Sequence, residues 1–187
     1  MSRKKEYIEE VVIEKAMRLF WRNGYKATSV RNLEKEMGIN QFSIYSSFGD
    51  KQGVFLESIK CYKKQVTEQL LDKLNNSDEG VKSIKTYFND FLEFSRSNKI
   101  NRGCLLTNTI DEIGEDGDFK IINTINEFAL KVRTAFIEKI KLNYKDEGQI
   151  IKKVNYLMVS LQGLSVASKM FNDQQLEDFI ETTFENI

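Results

Sequence analysis

The chain has no histidine and two cysteines, which removes much of the chemistry open to a protein of 187 residues. Histidine general acid–base catalysis, Ser–His and Cys–His dyads and histidine-based zinc sites are excluded. Carboxylates and lysines remain. The carboxylate cluster Asp111-Glu112-x-x-Glu115-Asp116-x-Asp118 lacks the regular loop spacing of calcium motifs and reads as a solvated helix end and loop. Cys61 and Cys104 are too few for a disulfide framework and fit a reduced, cytoplasmic chain. Cys104, in Arg102-Gly103-Cys104-Leu105-Leu106, reads as standing at a helix start. A thiol there beside an arginine suits redox or electrophile sensing, while a buried apolar thiol is the ordinary state of a free cysteine. No enzyme, cofactor or metal site is expected.

The elements that must position these residues are helices. Hydrophobic residues make up 41% and charged residues 30%, as in ordinary globular chains. No apolar run approaches the ~20 residues of a membrane helix, and the start, MSRKKEYIEE, carries no apolar run of a secretory signal. Net charge is zero but uneven: residues 1–60 hold 11 Lys+Arg against 8 Asp+Glu, and the remainder 17 against 20. That is a weak hint of an anion-binding N-terminal end.

Proline is absent, so glycines and capping side chains punctuate the chain. Ile8, Val11, Val12, Ala16, Leu19 and Phe20 predict one apolar helix stripe ended by Asn23-Gly24. A short helix follows from Thr28, its expected N-cap, to about Met37. Gly38 breaks it, Asn40 caps another at about 41–47, and Asp50 caps a long helix to about Leu74. Stripes then predict helices from Gly80 to about Ser97, from Gly103 to Ile113, and after Asp116 or Asp118 through Ile121, Ile125, Phe128, Val132, Phe136 and Ile140. The last two run from about Asp146 to Phe171 and from Asp173 to the end. The fold class is all-α, with about nine helices.

Gly38-Ile39-Asn40 is too short a turn for its flanking helices to pack antiparallel, and a tight glycine turn between two short helices is the signature of a helix-turn-helix. The fuller string is Ala16-x-x-Leu19-Phe20-x-x-x-Gly24-Tyr25-x-x-Thr28-Ser29-Val30-x-x-Leu33-x-x-x-Met37-Gly38-Ile39-Asn40-x-x-x-Ile44-Tyr45-x-x-Phe48-Gly49-Asp50-Lys51. It closely resembles the DNA-binding domain of TetR/AcrR-family transcriptional regulators, over about residues 8–60. The matched positions have physical readings of their own. The Gln41 amide suits bidentate contact with adenine, Phe42 a thymine methyl, and Ser43 a base edge or phosphate. Tyr45 suits a phosphate oxygen, as does Lys51 at a helix start. Thr28 reads as both cap and phosphate donor; Arg31 and the Arg3-Lys4-Lys5 cluster are further phosphate candidates. Where the family carries an aromatic and a histidine, this chain has Ser46-Ser47, hydroxyls without charge. Val30, Leu33, Ile39, Ile44 and Phe20 are assigned to the small core.

The resemblance implies a DNA-binding domain over residues 1–50, continuing into the long helix to about 60, and a helical ligand-binding and dimerisation domain over 51–187. It implies a cytoplasmic, ligand-responsive homodimeric repressor, released from a palindromic double-stranded operator by a small-molecule inducer, with no membrane partner. Its last two helices would pair with those of a second copy, for which Ser160, Gly163, Ala167 and Phe179 are candidates. Pocket candidates are Phe88, Phe91, Cys104, Phe128 and Tyr156. The helix beginning near Asp50 would be the lever, joining Lys51 to Tyr62 and Val66. The competing reading is a helical adaptor without DNA binding.

Overall fold

The computed structural model describes residues 7–96, 102–114 and 117–187; Arg3, Lys4, Lys5, Glu115 and Asp116 lie outside them. These residues form nine helices and no strand: α1 (Glu9–Asn23), α2 (Val30–Met37), α3 (Gln41–Phe48), α4 (51–75), α5 (Val81–Arg96), α6 (Leu105–Ile113), α7 (Phe119–Asn143), α8 (Glu147–Ala167) and α9 (Asp173–Glu185). Helix α4 is continuous, with Lys51–Val66 passing through a π-helical turn, Thr67–Leu71, into Asp72–Asn75. At 1.5 Å per residue it spans about 37 Å.

Capping side chains set most of the boundaries. Asn40, Asp50, Asp118, Asp146 and Asn172 each accept a backbone N–H from the first turn of α3, α4, α7, α8 and α9, supplying partners to otherwise unpaired donors. The α2 cap is one residue later than expected. Ser29 caps it, in a reciprocal box with Asn32, while Thr28 is fully buried and its hydroxyl donates to the Gly24 carbonyl at 2.7 Å.

Helix α1 packs chiefly on α4. Its buried face is Val12, Ile13, Ala16, Met17, Leu19, Phe20 and Trp21, so the expected stripe is rotated: Ile8 and Val11 are exposed. Two aromatic clusters join the ends of the molecule through this contact. Phe20, Phe55 and Tyr25 meet with ring centroids 4.6–6.1 Å apart. Deeper, Trp21, Tyr62 and Phe94 bring α1, α4 and α5 together at 5.0–5.8 Å. Such pairs add about 0.5–1.5 kcal/mol beyond the area they bury. At the far end the buried Lys139 donates to the carbonyls of Asn75 (2.9 Å) and Ser77 (2.6 Å), closing the C-terminus of α4 with a cation. Among the described residues no helix is long and apolar enough to cross a membrane.

Candidate functional site

Helices α2 and α3 are joined by the three-residue turn expected, with Gly38 in the left-handed region at φ 73°. Leu33, Met37 and Ile44 are buried and hold the pair in the core they share with α1 and α4. The rest of α3 is turned outward. Gln41, Phe42, Tyr45 and Ser46 are exposed, Phe42 to 80%. Four adjacent side chains with amide, apolar, phenol and hydroxyl chemistry thus share one open surface. Phe42 and Tyr45 bring an apolar and a phenolic ring to the same open face as the Gln41 amide and the Ser46 hydroxyl.

The flanking groups are partly committed. Ser43 and Ser47 are half-buried; Ser47 Oγ shares a 2.6 Å hydrogen bond with the Tyr7 hydroxyl, which also donates to the Ser43 carbonyl. Glu34 accepts the Gln41 N–H at 2.5 Å, so a carboxylate already occupies the start of α3. Arg31 is exposed and has no ion pair among the described residues. Thr28 cannot serve as predicted: it is inside the protein, with its hydroxyl engaged. Lys51 is half-buried, its ammonium 4.4 Å from the Tyr25 ring centroid. Burial holds that ammonium below the usual lysine range, and the Glu112 charge opposes the shift.

Glu112 is a functional candidate that sequence reasoning missed, because the acidic cluster reads as a solvated helix end. Its Oε2 accepts the Tyr25 N–H at 2.7 Å and its Oε1 the Lys26 N–H at 2.6 Å. A carboxylate of α6 thereby holds the backbone of the α1–α2 loop from 87 residues away. Gly24 makes this approach feasible: a Cβ there would stand 2.8 Å from Glu112 Oε2, at a φ of 82°. Trp21 Nε1 adds a second tie, donating to the Gly103 carbonyl at 3.1 Å. The Tyr25 phenol is raised first by burial and then by the charges of Asp50, Asp118 and Glu112.

Behind this junction lies a cavity of about 510 Å³ walled by α4 to α8. Phe91, Cys104 and Phe128 line it, as expected, together with Tyr62, Val66, Tyr87, Leu106, Thr107, Asp111 and Gln162. Phe88 and Tyr156 do not. Phe88 is buried against Phe136 and Phe184, and Tyr156 sits exposed on the outer face of α8. Cys104 is the residue capping α6; its sulfur accepts the Tyr62 hydroxyl at 3.4 Å and its N–H donates to Ser165 Oγ. Burial pushes the Tyr62 phenol well up.

The candidate interface strip on α8 is also displaced. Ser160 is 7% exposed and turned into the core, and Ala167 is half-buried. The outward strip is Tyr156, Val159, Gly163, Val166 and Met170; Val159, exposed to 72%, Gly163 and Val166 also edge the cavity. Around Gly163 a Cβ would meet nothing within 4 Å, so no close approach inside the protomer requires that glycine. Phe179 on α9 is 38% exposed.

Comparison with known proteins agrees with this architecture. Residues 12–58 match the family model described as bacterial regulatory proteins, tetR family. The chain is 24% identical over 192 residues to the HTH-type transcriptional regulator YezE of Bacillus subtilis (strain 168), covering 98% of this chain and 97% of YezE. It is 26% identical over 177 residues to the HTH-type transcriptional repressor ComR of Escherichia coli (strain K12), covering 90% and 82%. A cysteine mutant of the TetR-family regulator CifR, solved on 26-bp double-strand operator DNA, superposes with a TM-score of 0.86 at 20% identity over 98% of both chains. The helix-turn-helix string, the nine-helix architecture and these comparisons point the same way: residues 12–58 match the tetR-family model, and the chain as a whole is similar in sequence to HTH-type transcriptional regulators and in fold to TetR-family structures.

Proposed function

We propose that the protein is a cytoplasmic, ligand-responsive repressor that grips a palindromic operator as a homodimer and lets go when a small molecule fills the cavity. Residues 1–50 form the DNA-binding part, and 51–187 the regulatory and dimerisation part. The observation that carries this reading is the open face of α3, where Gln41, Phe42, Tyr45 and Ser46 stand clear of the protein. A helix presented this way fits a major groove, with Gln41 for adenine, Phe42 for a thymine methyl, and Tyr45, Ser43, Ser46, Arg31 and Lys51 for phosphates. Two copies follow from geometry, since one short helix reads few bases and a dyad reads half-sites about 34–36 Å apart. The exposed apolar strip of α8, with Phe179 of α9, is the surface for the second copy. CifR was solved on operator DNA, which supports the DNA partner, and ComR is named a repressor, which supports the direction of the effect.

The route from cavity to DNA runs through α6 and α4. Helix α6 lines the cavity with Leu106, Thr107 and Asp111 and holds the DNA-binding part through Glu112. Helix α4 carries Lys51 at one end and Tyr62 and Val66 in the cavity wall. A ligand that fits better when α6 is displaced would favour a state in which the two recognition helices no longer match successive grooves. The test is a salt titration of binding to the palindromes flanking the protein's own gene. A steep dependence of affinity on salt is expected, with the slope reduced by about one unit in Lys51→Ala. Absence of binding to every palindromic fragment, by a dimer or a monomer, would overturn the reading in favour of an adaptor.

A further inference from the structure

The cavity wall is chemically lopsided. Tyr62, Tyr87, Phe91 and Phe128 supply four aromatic rings, most other lining residues are aliphatic, and no lysine or arginine is among them. The wall has one carboxylate, Asp111, which among the described residues has no hydrogen bond or ion pair. Its neighbour Glu112 is committed to the Tyr25 and Lys26 amides. The lysines around Phe128 belong to a separate surface groove, lined by Lys60, Lys63, Lys64 and Lys131, and the Lys63 ammonium donates to the Thr124 carbonyl.

A second group in the wall bears on the body of the ligand, not on its charge. Tyr87 is 3% exposed, lines the cavity and has no hydrogen-bond partner among the described residues. The other buried phenol, Tyr62, is taken by Cys104. Burial keeps the Tyr87 phenol protonated at any physiological pH. No fully buried side-chain donor among the described residues lacks a partner, so the Tyr87 hydroxyl opens on the cavity itself, where a ligand atom can accept from it.

An anion entering this cavity would meet no counter-charge and one like charge; a neutral molecule would leave Asp111 unused. We propose that the cavity takes a drug-sized lipophilic monocation, an amine or quaternary ammonium on an apolar body. Its charged head lies at Asp111, its body lies among Tyr62, Phe91 and Phe128, and a polar atom receives the Tyr87 hydroxyl. This rests on the reading of the cavity as the effector site.

The test uses the full-length protein and three probes of one shape: biphenyl-4-ylmethyl-trimethylammonium, its uncharged isostere with carbon in place of nitrogen, and biphenyl-4-ylacetate. Binding is read by calorimetry and by emission of Trp21, the sole tryptophan, whose ring lies 5.0 Å from Tyr62. The cation should bind at least about tenfold tighter than the isostere, with the acetate weakest. Asp111→Asn, an isosteric change at an exposed position, should erase the preference and leave the isostere's affinity unchanged within about twofold; its melting temperature checks the fold. Equal binding of cation and isostere, tighter binding of the acetate, or a preference surviving in Asp111→Asn would each overturn the proposal. Operator release is measured in parallel. Selective cation binding without release keeps this ligand class and overturns the ligand-responsive reading. Release by neutral or anionic compounds alone overturns the class and keeps the regulation.

Discussion

Replacing Glu112 by alanine removes both hydrogen bonds that tie α6 to the α1–α2 loop, at 2.7 and 2.6 Å. A hydrogen bond to a charged group contributes about 1.5–3 kcal/mol when well shielded. Here the shielding is partial: the Tyr25 amide is half-covered, and the Lys26 contact is exposed. Water replaces much of what is lost at the second, so the pair together is worth about 2 kcal/mol rather than twice the shielded figure. For a chain of this size that lowers the melting temperature by about 4–8 °C. The more specific readout is amide hydrogen exchange. Local opening of the α1–α2 loop should expose the Tyr25 and Lys26 amides about thirtyfold more often, since 1.4 kcal/mol is one decade. Exchange in α7 and α9 should change only with global stability. Glu112→Asp, one methylene shorter, cannot span both amides and should lie near the alanine variant, while Glu112→Gln keeps one acceptor oxygen and should fall between. Unchanged exchange at Tyr25 and Lys26 in the alanine variant would refute the latch, whatever happens to the melting temperature.

Gln41→Ala should lower affinity for the palindromic operator by about 1–3 kcal/mol, roughly tenfold or more, and leave the melting temperature within about 2 °C, since the side chain is exposed; fluorescence anisotropy and calorimetry check the two arms. Lys139→Met keeps the aliphatic stem but removes the donors to the Asn75 and Ser77 carbonyls, and should destabilise the fold by about 1–3 kcal/mol in urea titration, with operator specificity intact. Val159→Glu places a charge in the exposed strip of α8; the variant should sediment as a monomer with native helix content and bind operator weakly, and a persistent dimer would move the interface elsewhere.

The helix-turn-helix was legible in sequence because its determinants are local. Gly38 and the caps Asn40 and Asp50 act within four residues of themselves, and each stands where it was expected. Errors entered where the phase of a helix decides the outcome. In α1 the residues Ile8, Val11, Ile13, Met17 and Trp21 are all apolar, so several stripes compete, and contact with α4 selects the one containing Trp21. Helix α8 is apolar on nearly every side, with Leu157, Leu161 and Leu164 inward and Val159 and Val166 outward; spacing alone sets Ser160 with Gly163 and Ala167, and packing turns it inward. Phe88 and Tyr156 missed the cavity for the same reason. Thr28 and Ser29 offer equivalent hydroxyls to one helix start, and burial of Thr28 on the Gly24 carbonyl decides between them. The Glu112 latch had no local signal at all. It links residues 86 and 87 positions apart, and nothing in an acidic cluster distinguishes the one carboxylate that finds two backbone amides.

The latch also bears on how a ligand could act at a distance. Driving a population from 99:1 to 1:99 needs about 5.5 kcal/mol of differential binding, and the Glu112 contact accounts for about 2 kcal/mol of the barrier by the reckoning above. The remainder has to come from elements that move with it, and the Trp21–Gly103 hydrogen bond and the Trp21–Tyr62–Phe94 cluster are the ties that join α1 to the cavity wall. If the latch is made in the DNA-competent state and broken in the released one, Glu112→Ala disfavours the competent state before any ligand is present. Operator affinity without ligand should then fall, and the ligand concentration giving half release should fall with it, because coupling free energies are reciprocal. The ligand's own affinity for the DNA-free protein should rise over the same range. A variant whose operator affinity and ligand affinity both match the parent would mean that Glu112 holds the loop equally in both states. In that case the latch is structural, and the signal must pass along α4 and through the Trp21 ties to the cavity wall.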